Sequence, residues 1–262
     1  MKKCKKKKNI IEKEKLNNNK KKILLELQIE KLKEHIKINW IFYIVVVCCL
    51  FILSRYIINE LSPNIMFIKN IITFIIISTL GYFIHYISHN VHFSEIYKEH
   101  SIIIKKKSLL DKILINFFKF VDFHREVHHD TGYENLEDTI PINKKWKNIF
   151  YEIINNIVFQ GIGLIIIKKC LNYLDNNIII LWALFYSTFH NINYNIIKPS
   201  SHRDHHIDDK TNYGIDIYDI IFGTKYHWDD LENYNHYSIN IVIITGLIIF
   251  ISKLLYKNNN KN

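Results

Sequence analysis

The side chains of this protein that are best suited to chemistry are its histidines, and nine of the fourteen lie in four tight groups. The groups are His85/His89, His124/His128/His129, His190 and His202/His205/His206. Neutral imidazole is a ligand for zinc, copper, iron and nickel, whereas protonated imidazoles crowded together would repel one another. The grouping therefore predicts a metal site. Because four ligands saturate a structural zinc, nine histidines suggest two metal ions.

The spacing within each group is typical of ligands on one helix face. His85 and His89 are four residues apart, which places both rings on the same side of an α-helix. The groups at 124–129 and 202–206 add a terminal His-His pair to the same arrangement, as HxxxHH and HxxHH. The repetition makes metal binding a stronger interpretation than a chance cluster of surface residues.

Long apolar runs must position these groups, at residues 40–58, 64–84, 149–167, 178–189 and 239–256. A helix needs about 20 apolar residues to cross a bilayer, and the lengths favour helices over buried strands in a soluble core. We expect an all-α integral-membrane protein with about four membrane helices in two hairpins. The fifth run then fits an interfacial or re-entrant helix. The domains are a tail at 1–38, flexible or amphipathic, a membrane-embedded domain at 39–256 and a polar end at 257–262.

The distribution of basic residues predicts the orientation. Ten Lys and Arg residues lie in segment 85–147, whereas Arg55, Lys69, Lys168 and Lys169 lie in or near the opposite turns. Cytoplasmic loops carry the excess of positive charge in membrane proteins. Two hairpins therefore place all nine grouped histidines on the cytosolic side, in a helical cap.

The first 37 residues carry almost all of the net charge. They contain 14 Lys and 5 Glu, a surplus of 9 within a total of +10. Such a tail could bind nucleic acid or anionic lipid, but it leads directly into an apolar run. We therefore expect an anionic lipid surface as its partner and no nucleic acid.

The stretch from His202 to Lys225, HRDHHIDDKTNYGIDIYDIIFGTK, is the most specific motif in the chain. Its HxxHH group is followed by Asn-Tyr-Gly at 212–214, Tyr-Asp at 218–219 and Phe-Gly-Thr at 222–224. With the earlier histidine groups, it resembles the fatty acid hydroxylase and sterol desaturase superfamily over about residues 70–230.

The resemblance implies an enzyme with an all-histidine di-iron centre on the cytosolic face of the endoplasmic reticulum. By this similarity all nine grouped histidines are ligands, O₂ is the co-substrate, and electrons come from an external donor such as cytochrome b5 and its reductase. The substrate is a membrane lipid, either a fatty acyl chain or a sterol, and the reaction is hydroxylation or desaturation. Four polar side chains near the ligands are candidates for orienting the rings, namely Asp130, Asp204, Asp208 and Asn212.

Two other functions remain open at this point. The His129-Asp130 pair suggests a metal-dependent hydrolase, although that reading leaves most of the histidines without a role. A non-catalytic membrane protein that binds or transports divalent metal would also use histidine-rich loops between spans. No catalytic side chain beyond the metal ligands is predicted.

Overall fold

The computed structural model describes residues 2–57, 61–93, 95–97, 109–122, 142–169 and 173–259. Within these ranges all regular secondary structure is helical and no strand occurs. The predicted all-α class is therefore confirmed for this part of the chain. His124, His128, His129 and Asp130 lie outside the described residues, so their predicted roles have no structural description.

Two consecutive helices open the chain and meet at a sharp bend. Helix α1 spans Lys2–Ile38, helix α2 spans Trp40–Tyr56, and segment Asn19–Ile38 makes an angle of 70° with α2. Asn39 lies at the bend and is fully buried. Its amide donates to the Glu232 carbonyl at 3.0 Å and accepts from the Tyr234 N–H at 2.6 Å. The bend is thus held by contacts with a distant part of the chain.

Helix α3, Pro63–Asn90, starts with a proline at a position where no N–H is needed. Helix α4 spans Leu109–Val121, and helix α5 spans Ile142–Ile157 and continues through a π-helical turn, Val158–Ile162, into helix α6, Gly163–Lys168. Helix α7, Asn176–Thr188, is capped by Asp175, whose carboxylate accepts from the Asn177 N–H at 2.8 Å.

The remaining helices are short until the last one. A second π-helical turn, Phe189–Asn193, leads from α7 into helix α8, Tyr194–Ile197. Helix α9, Ser200–Ile207, carries the HxxHH group, and helix α10, Asp216–Phe222, follows it. A 3₁₀ turn, Asn235–Tyr237, precedes the long helix α11, Ser238–Asn259.

Helices α2, α3, α7 and α11 pack into one bundle with α7 at its centre. Most of α7 is buried, including Ile178, Leu181, Trp182 and Phe185. The outer faces of α2, α3 and α11 are also apolar, with exposed residues such as Ile44, Ile68, Ile75, Val242 and Phe250. Helices that are apolar on all sides are typical of a bilayer environment.

Among the described residues, two helical segments are long and apolar enough to cross a membrane, Pro63–Asn90 and Asn235–Asn258. A third is added if Asn19–Ile38 and Trp40–Tyr56 count as one bent span. The four predicted spans are not confirmed, because the run at 149–167 is interrupted by a π turn and α7 has only 13 residues. The run predicted to be interfacial or re-entrant forms a continuous 22-residue helix, α11, which is also long and apolar enough to cross a membrane, so its placement at the interface stays a prediction.

The glycine at position 81 allows close packing at the centre of the bundle. The Trp182 indole N–H donates to the Gln160 side chain at 2.9 Å, and the Gln160 amide donates to the Gly81 carbonyl at 3.2 Å. A Cβ at this position would lie 2.5 Å from the Gln160 oxygen and 2.7 Å from the Trp182 nitrogen.

We therefore expect Gly81→Ala to destabilise the protein by about 1–3 kcal/mol through overpacking. Gly246→Ala on α11 is the matched control, because an added Cβ there meets nothing within 4 Å. The measurement is the thermal unfolding midpoint in detergent. Equal midpoints for the two variants would contradict this account of the α3–α7 contact.

Candidate metal centre

Helix α3 carries the first histidine pair at its C-terminal end. His85 and His89 are one turn apart and both are buried. Their Nε2 atoms lie 3.0 Å apart, and their ring centroids are separated by 4.8 Å. The predicted placement of the two rings on one helix face is therefore observed.

Helix α9 brings His205 against this pair although it is more than 100 residues away in the chain. The His205 Nε2 lies 3.1 Å from the Nε2 of His89, and the ring of His205 is almost fully buried. One potential ligand atom from each of His85, His89 and His205 lies within 4.8 Å of the others. These three histidines form a group that could hold a metal ion.

Main-chain carbonyls determine which ring nitrogens face one another. The His85 Nδ1 lies against the Tyr213 carbonyl, and the His205 Nδ1 lies 2.5 Å from the Thr211 carbonyl. A carbonyl only accepts, so each Nδ1 carries the proton and each Nε2 keeps its lone pair. This is the usual arrangement of metal-binding histidines, whose second ring nitrogen donates to a carbonyl or carboxylate.

The spacing of the facing ring nitrogens is compatible with a shared metal ion. Two nitrogens bound at right angles, each about 2.1 Å from a metal, are about 3.0 Å apart. The observed separations of 3.0 and 3.1 Å match that value. Without an ion, the same distances suit an N–H···N hydrogen bond in which the His89 Nε2 carries the proton. The donor set is thus chemically suited to a borderline transition metal such as iron or zinc.

A second set of rings lies beside the first. On α9, the Nε2 atoms of His202 and His206 are 3.2 Å apart. His190 lies in the π turn after α7, with its ring centroid 4.9 Å from that of His202 and 5.6 Å from that of His85. All six described histidines of the predicted ligand set are therefore brought together, in two neighbouring sets.

The π turn explains how His190 reaches the centre. Such turns insert an extra residue into a helix and occur frequently at functional sites. The His190 ring lies parallel to that of Tyr186, at an interplanar angle of 11° and a centroid distance of 5.4 Å. The Tyr186 hydroxyl also lies 3.0 Å from the His85 Nδ1. Tyr186 is a residue of the site that the sequence pattern did not indicate.

The loop after α9 is held in place by hydrogen bonds to Asp219 on α10. Its carboxylate accepts hydrogen bonds from the N–H groups of Tyr213 (2.8 Å) and Gly214 (3.1 Å) and from the Thr224 hydroxyl (2.7 Å). Burial raises the pKa of Asp219 to about 7, against the hydrogen bonds from Thr224 and Gly214, which lower it. Asp219 on α10 therefore ties the Asn-Tyr-Gly loop to the Phe-Gly-Thr end of the helix, and that loop presents the Tyr213 carbonyl to His85.

Of the four polar residues predicted to orient the rings, Asp204, Asp208 and Asn212 lie in the described part of the chain. Asp204 is buried with a carboxylate oxygen 3.7 Å from the Arg203 guanidinium, and Asp208 accepts from the Lys210 N–H at 3.1 Å. Asn212 donates to the Ser201 carbonyl at 2.9 Å and so links the loop to α9. In the described part of the chain, the acceptors that orient His85 and His205 are main-chain carbonyls.

A buried glutamate supports the α9 side of the centre. Glu232 accepts hydrogen bonds from four hydroxyl groups, those of Tyr194 (3.0 Å), Ser201 (2.6 Å), Tyr234 (3.2 Å) and Tyr237 (2.6 Å). Tyr194 in turn packs against His202, with ring centroids 4.6 Å apart. Burial and the neighbouring Asp216 carboxylate raise the pKa of Glu232 to about 7. No motif around position 232 signalled this role.

Two cavities adjoin the histidines. A void of about 10 Å³, the size of one water molecule, lies among His85, His190 and His202. A larger cavity of about 190 Å³ adjoins His85 and Tyr186 on another side, and most of its surface is apolar. The larger cavity exceeds the roughly 150 Å³ apolar cavity that is known to admit benzene. Both a small ligand and an apolar group therefore have space beside His85.

No protein-family model, curated protein or solved structure matches this chain. The indications of function are therefore internal to the molecule. They are two or three helices suited to a membrane and a histidine cluster compatible with metal binding. Any assignment of a reaction rests on the chemistry of these residues and on the resemblance of the closing motif.

Proposed function

We propose that this protein is an integral-membrane, O₂-dependent di-iron oxidoreductase that hydroxylates or desaturates a membrane lipid. The observation that carries the proposal is the convergence of three imidazole Nε2 atoms at the end of a candidate membrane helix. The apolar cavity beside His85 adds support, because it offers a place for hydrocarbon next to the candidate centre.

The residues that would hold the metals are divided between two sets. His85, His89 and His205 would bind one iron, and His190, His202 and His206 lie where they would bind the other. The proposed ligands His124, His128 and His129 would complete the coordination. Iron supplies, when bound together with O₂, an oxidant strong enough to attack an unactivated C–H bond.

Groups of the protein itself orient the histidine rings, exclude water and hold the substrate. The carbonyls of Tyr213 and Thr211 keep the proton of each ring on Nδ1, so that the Nε2 lone pairs remain directed inward. Burial of the rings keeps bulk water away. The cavity walls, which include Ile84, Ile87 and Phe159, would hold an acyl chain or part of a sterol by apolar contact.

The proposed function also implies a cellular location and a partner that donates electrons. Electrons would come from an external donor such as cytochrome b5 and its reductase, and the histidine-bearing cap would face the cytosol from the endoplasmic reticulum. The concentration of Lys and Arg in segment 85–147 supports that orientation. This orientation does not require four spans in two hairpins. A single hairpin of α2 and α3, together with α11, also keeps the histidines at one end of the bundle.

The test combines metal analysis with lipid analysis. We expect the protein purified in detergent to contain about two iron ions per chain, as an all-imidazole di-iron site requires. Membranes of a host that expresses the gene should contain a hydroxylated or desaturated lipid that is absent without it. Stoichiometric zinc that persists under reducing conditions, with no change of lipid composition, would contradict the proposal and favour a metal-binding protein without redox activity.

A further inference from the structure

The polar face of α1 is the face that packs against the protein. The Gln28 amide donates to the carbonyls of Ile220 and Ile221 at 2.9 and 3.1 Å. Lys31 forms an ion pair of 2.8 Å with Asp229. Fully buried His35 lies one helical turn further along. Spacings of three and four residues place these three side chains on one face, and each has a specific partner.

An apolar stripe of the same helix is exposed. Leu25, Ile29 and Ile36 are 56, 46 and 47 % exposed, with Leu32 half-buried between them. These residues recur at helical spacing, about a quarter turn from the protein-facing side. An amphipathic helix of a water-soluble protein buries its apolar stripe, so the orientation seen here needs an apolar partner other than the described residues.

Charged residues occupy the third sector of α1. Glu26, Glu30, Lys33 and Lys37 lie on the side away from the protein contacts, next to the apolar stripe. A helix with protein on one side, apolar residues on the second and charges on the third matches the environment at the surface of a bilayer. The charged side chains then face water, the apolar stripe lies at the boundary between headgroups and acyl chains, and the third face contacts the protein.

The exposed apolar surface continues around the bend onto α2. Trp40, Ile41 and Ile44 are exposed there. Because α1 bends 70° from α2, a vertical α2 would leave segment 19–38 close to the membrane plane. Trp40 at the junction is the residue type that is enriched at membrane interfaces.

We propose that α1 is an interfacial helix whose Leu25–Ile36 stripe inserts into the headgroup layer of an anionic bilayer. The surplus of nine positive charges in residues 1–37 selects anionic lipid, at about 1 kcal/mol per Lys near the surface. The polar face then holds the cap at a defined depth, because Gln28 and Lys31 attach α1 to α10 and to the loop that follows it.

Helix α4 repeats the arrangement independently. Leu109, Ile113 and Phe117 are exposed at intervals of four residues, with exposed Lys112 and Lys119 beside them. On its other side Phe118 packs against Tyr97, with ring centroids 5.3 Å apart. A second helix with an exposed apolar stripe and flanking lysines supports a lipid surface as the common partner.

The test measures the depth of two positions on α1 in the full-length protein. Cysteine is introduced at Ile29 or, as the matched control, at Lys33 on the charged side, after the four native cysteines have been replaced by alanine. Each variant is labelled with an environment-sensitive fluorophore and inserted in nanodiscs of phosphatidylcholine and phosphatidylserine. The discs contain a lipid with a nitroxide near the headgroup.

We expect strong quenching at Ile29, at least severalfold weaker quenching at Lys33, and less quenching at Ile29 when phosphatidylserine is omitted. Equal quenching at the two positions would overturn the proposal. Energy transfer between copies labelled at Ile29, without quenching by lipid, would also overturn it and identify a second copy as the partner. The measurement needs neither metal nor turnover, so its outcome is independent of the oxidoreductase proposal.

Discussion

Replacement of His205 by alanine is expected to lower metal affinity by roughly 100-fold or more and to abolish lipid oxidation. Loss of a residue that merely orients a ligand typically lowers affinity 10- to 100-fold, and loss of a ligand should have at least that effect. His205 is the link between the two helices of the centre, because its Nε2 lies 3.1 Å from the His89 Nε2 on α3. Metal content per chain and product formation in membranes are the measurements.

The matched control is His227→Ala. His227 is exposed and lies against Tyr226, with ring centroids 4.5 Å apart, so its removal should change neither metal content nor product. Thermal unfolding of both metal-free variants distinguishes a lost ligand from a misfolded protein. His205→Ala protein that keeps its full metal content and makes product would show that His205 is not a ligand.

Replacement of Glu232 by leucine is expected to cost several kcal/mol of folding free energy. The leucine side chain has no acceptor for the four hydroxyl groups that Glu232 binds, and each unsatisfied buried group costs about 1–3 kcal/mol. The Asn39 amide also donates to the Glu232 main-chain carbonyl at the bend between α1 and α2. Glu232→Gln keeps one acceptor oxygen and should lose much less stability.

Glu232 should also make the stability of the fold depend on pH, in the direction opposite to that of a carboxylate whose pKa is lowered on folding. Its folded-state pKa is raised to about 7 from an ordinary value of 4.5 by burial and by Asp216. Its contribution to stability is therefore complete below pH 4.5 and is lost as the pH rises through 7. The free energy of unfolding of the wild type minus that of Glu232→Gln should therefore fall as the pH rises over this interval.

The difference between the two proteins reports on Glu232 together with the neighbouring Asp216 carboxylate, because every other group is common to both proteins. Reversible unfolding in mixed micelles at several pH values provides the data. A constant difference between pH 4.5 and 7.5 would show that Glu232 is ionised throughout.

The local features of the centre could be predicted from the chain because they depend on helical periodicity. His85 and His89 share a face because four residues make about one turn, and the same holds for His202 and His206. The sequence also predicts that the histidine groups lie on one side of the membrane, and the structure brings α3, α7 and α9 together at the rings of His85, His190 and His202. The positions of His124, His128 and His129 stay predictions.

The number of spans and the ring-orienting groups could not be predicted in the same way. The amino-acid composition of an apolar run is the same whether its helix faces lipid or, like α7, faces other helices. Composition therefore does not distinguish a membrane span from a buried helix. His85 and His205 are oriented by the main-chain carbonyls of Tyr213 and Thr211, which residue type does not reveal because every residue possesses a carbonyl.

The identity and spacing of the histidines already predict metal chemistry beside apolar helices, because ligand type and helical register are properties of short segments. How the segments meet is a property of long-range contacts. The π turn at His190, the support that Glu232 gives to Tyr194 and Ser201, and the exposure of the apolar stripe of α1 all arise from packing between distant residues. Such contacts leave no local periodic pattern, and they are visible only once the chain has folded.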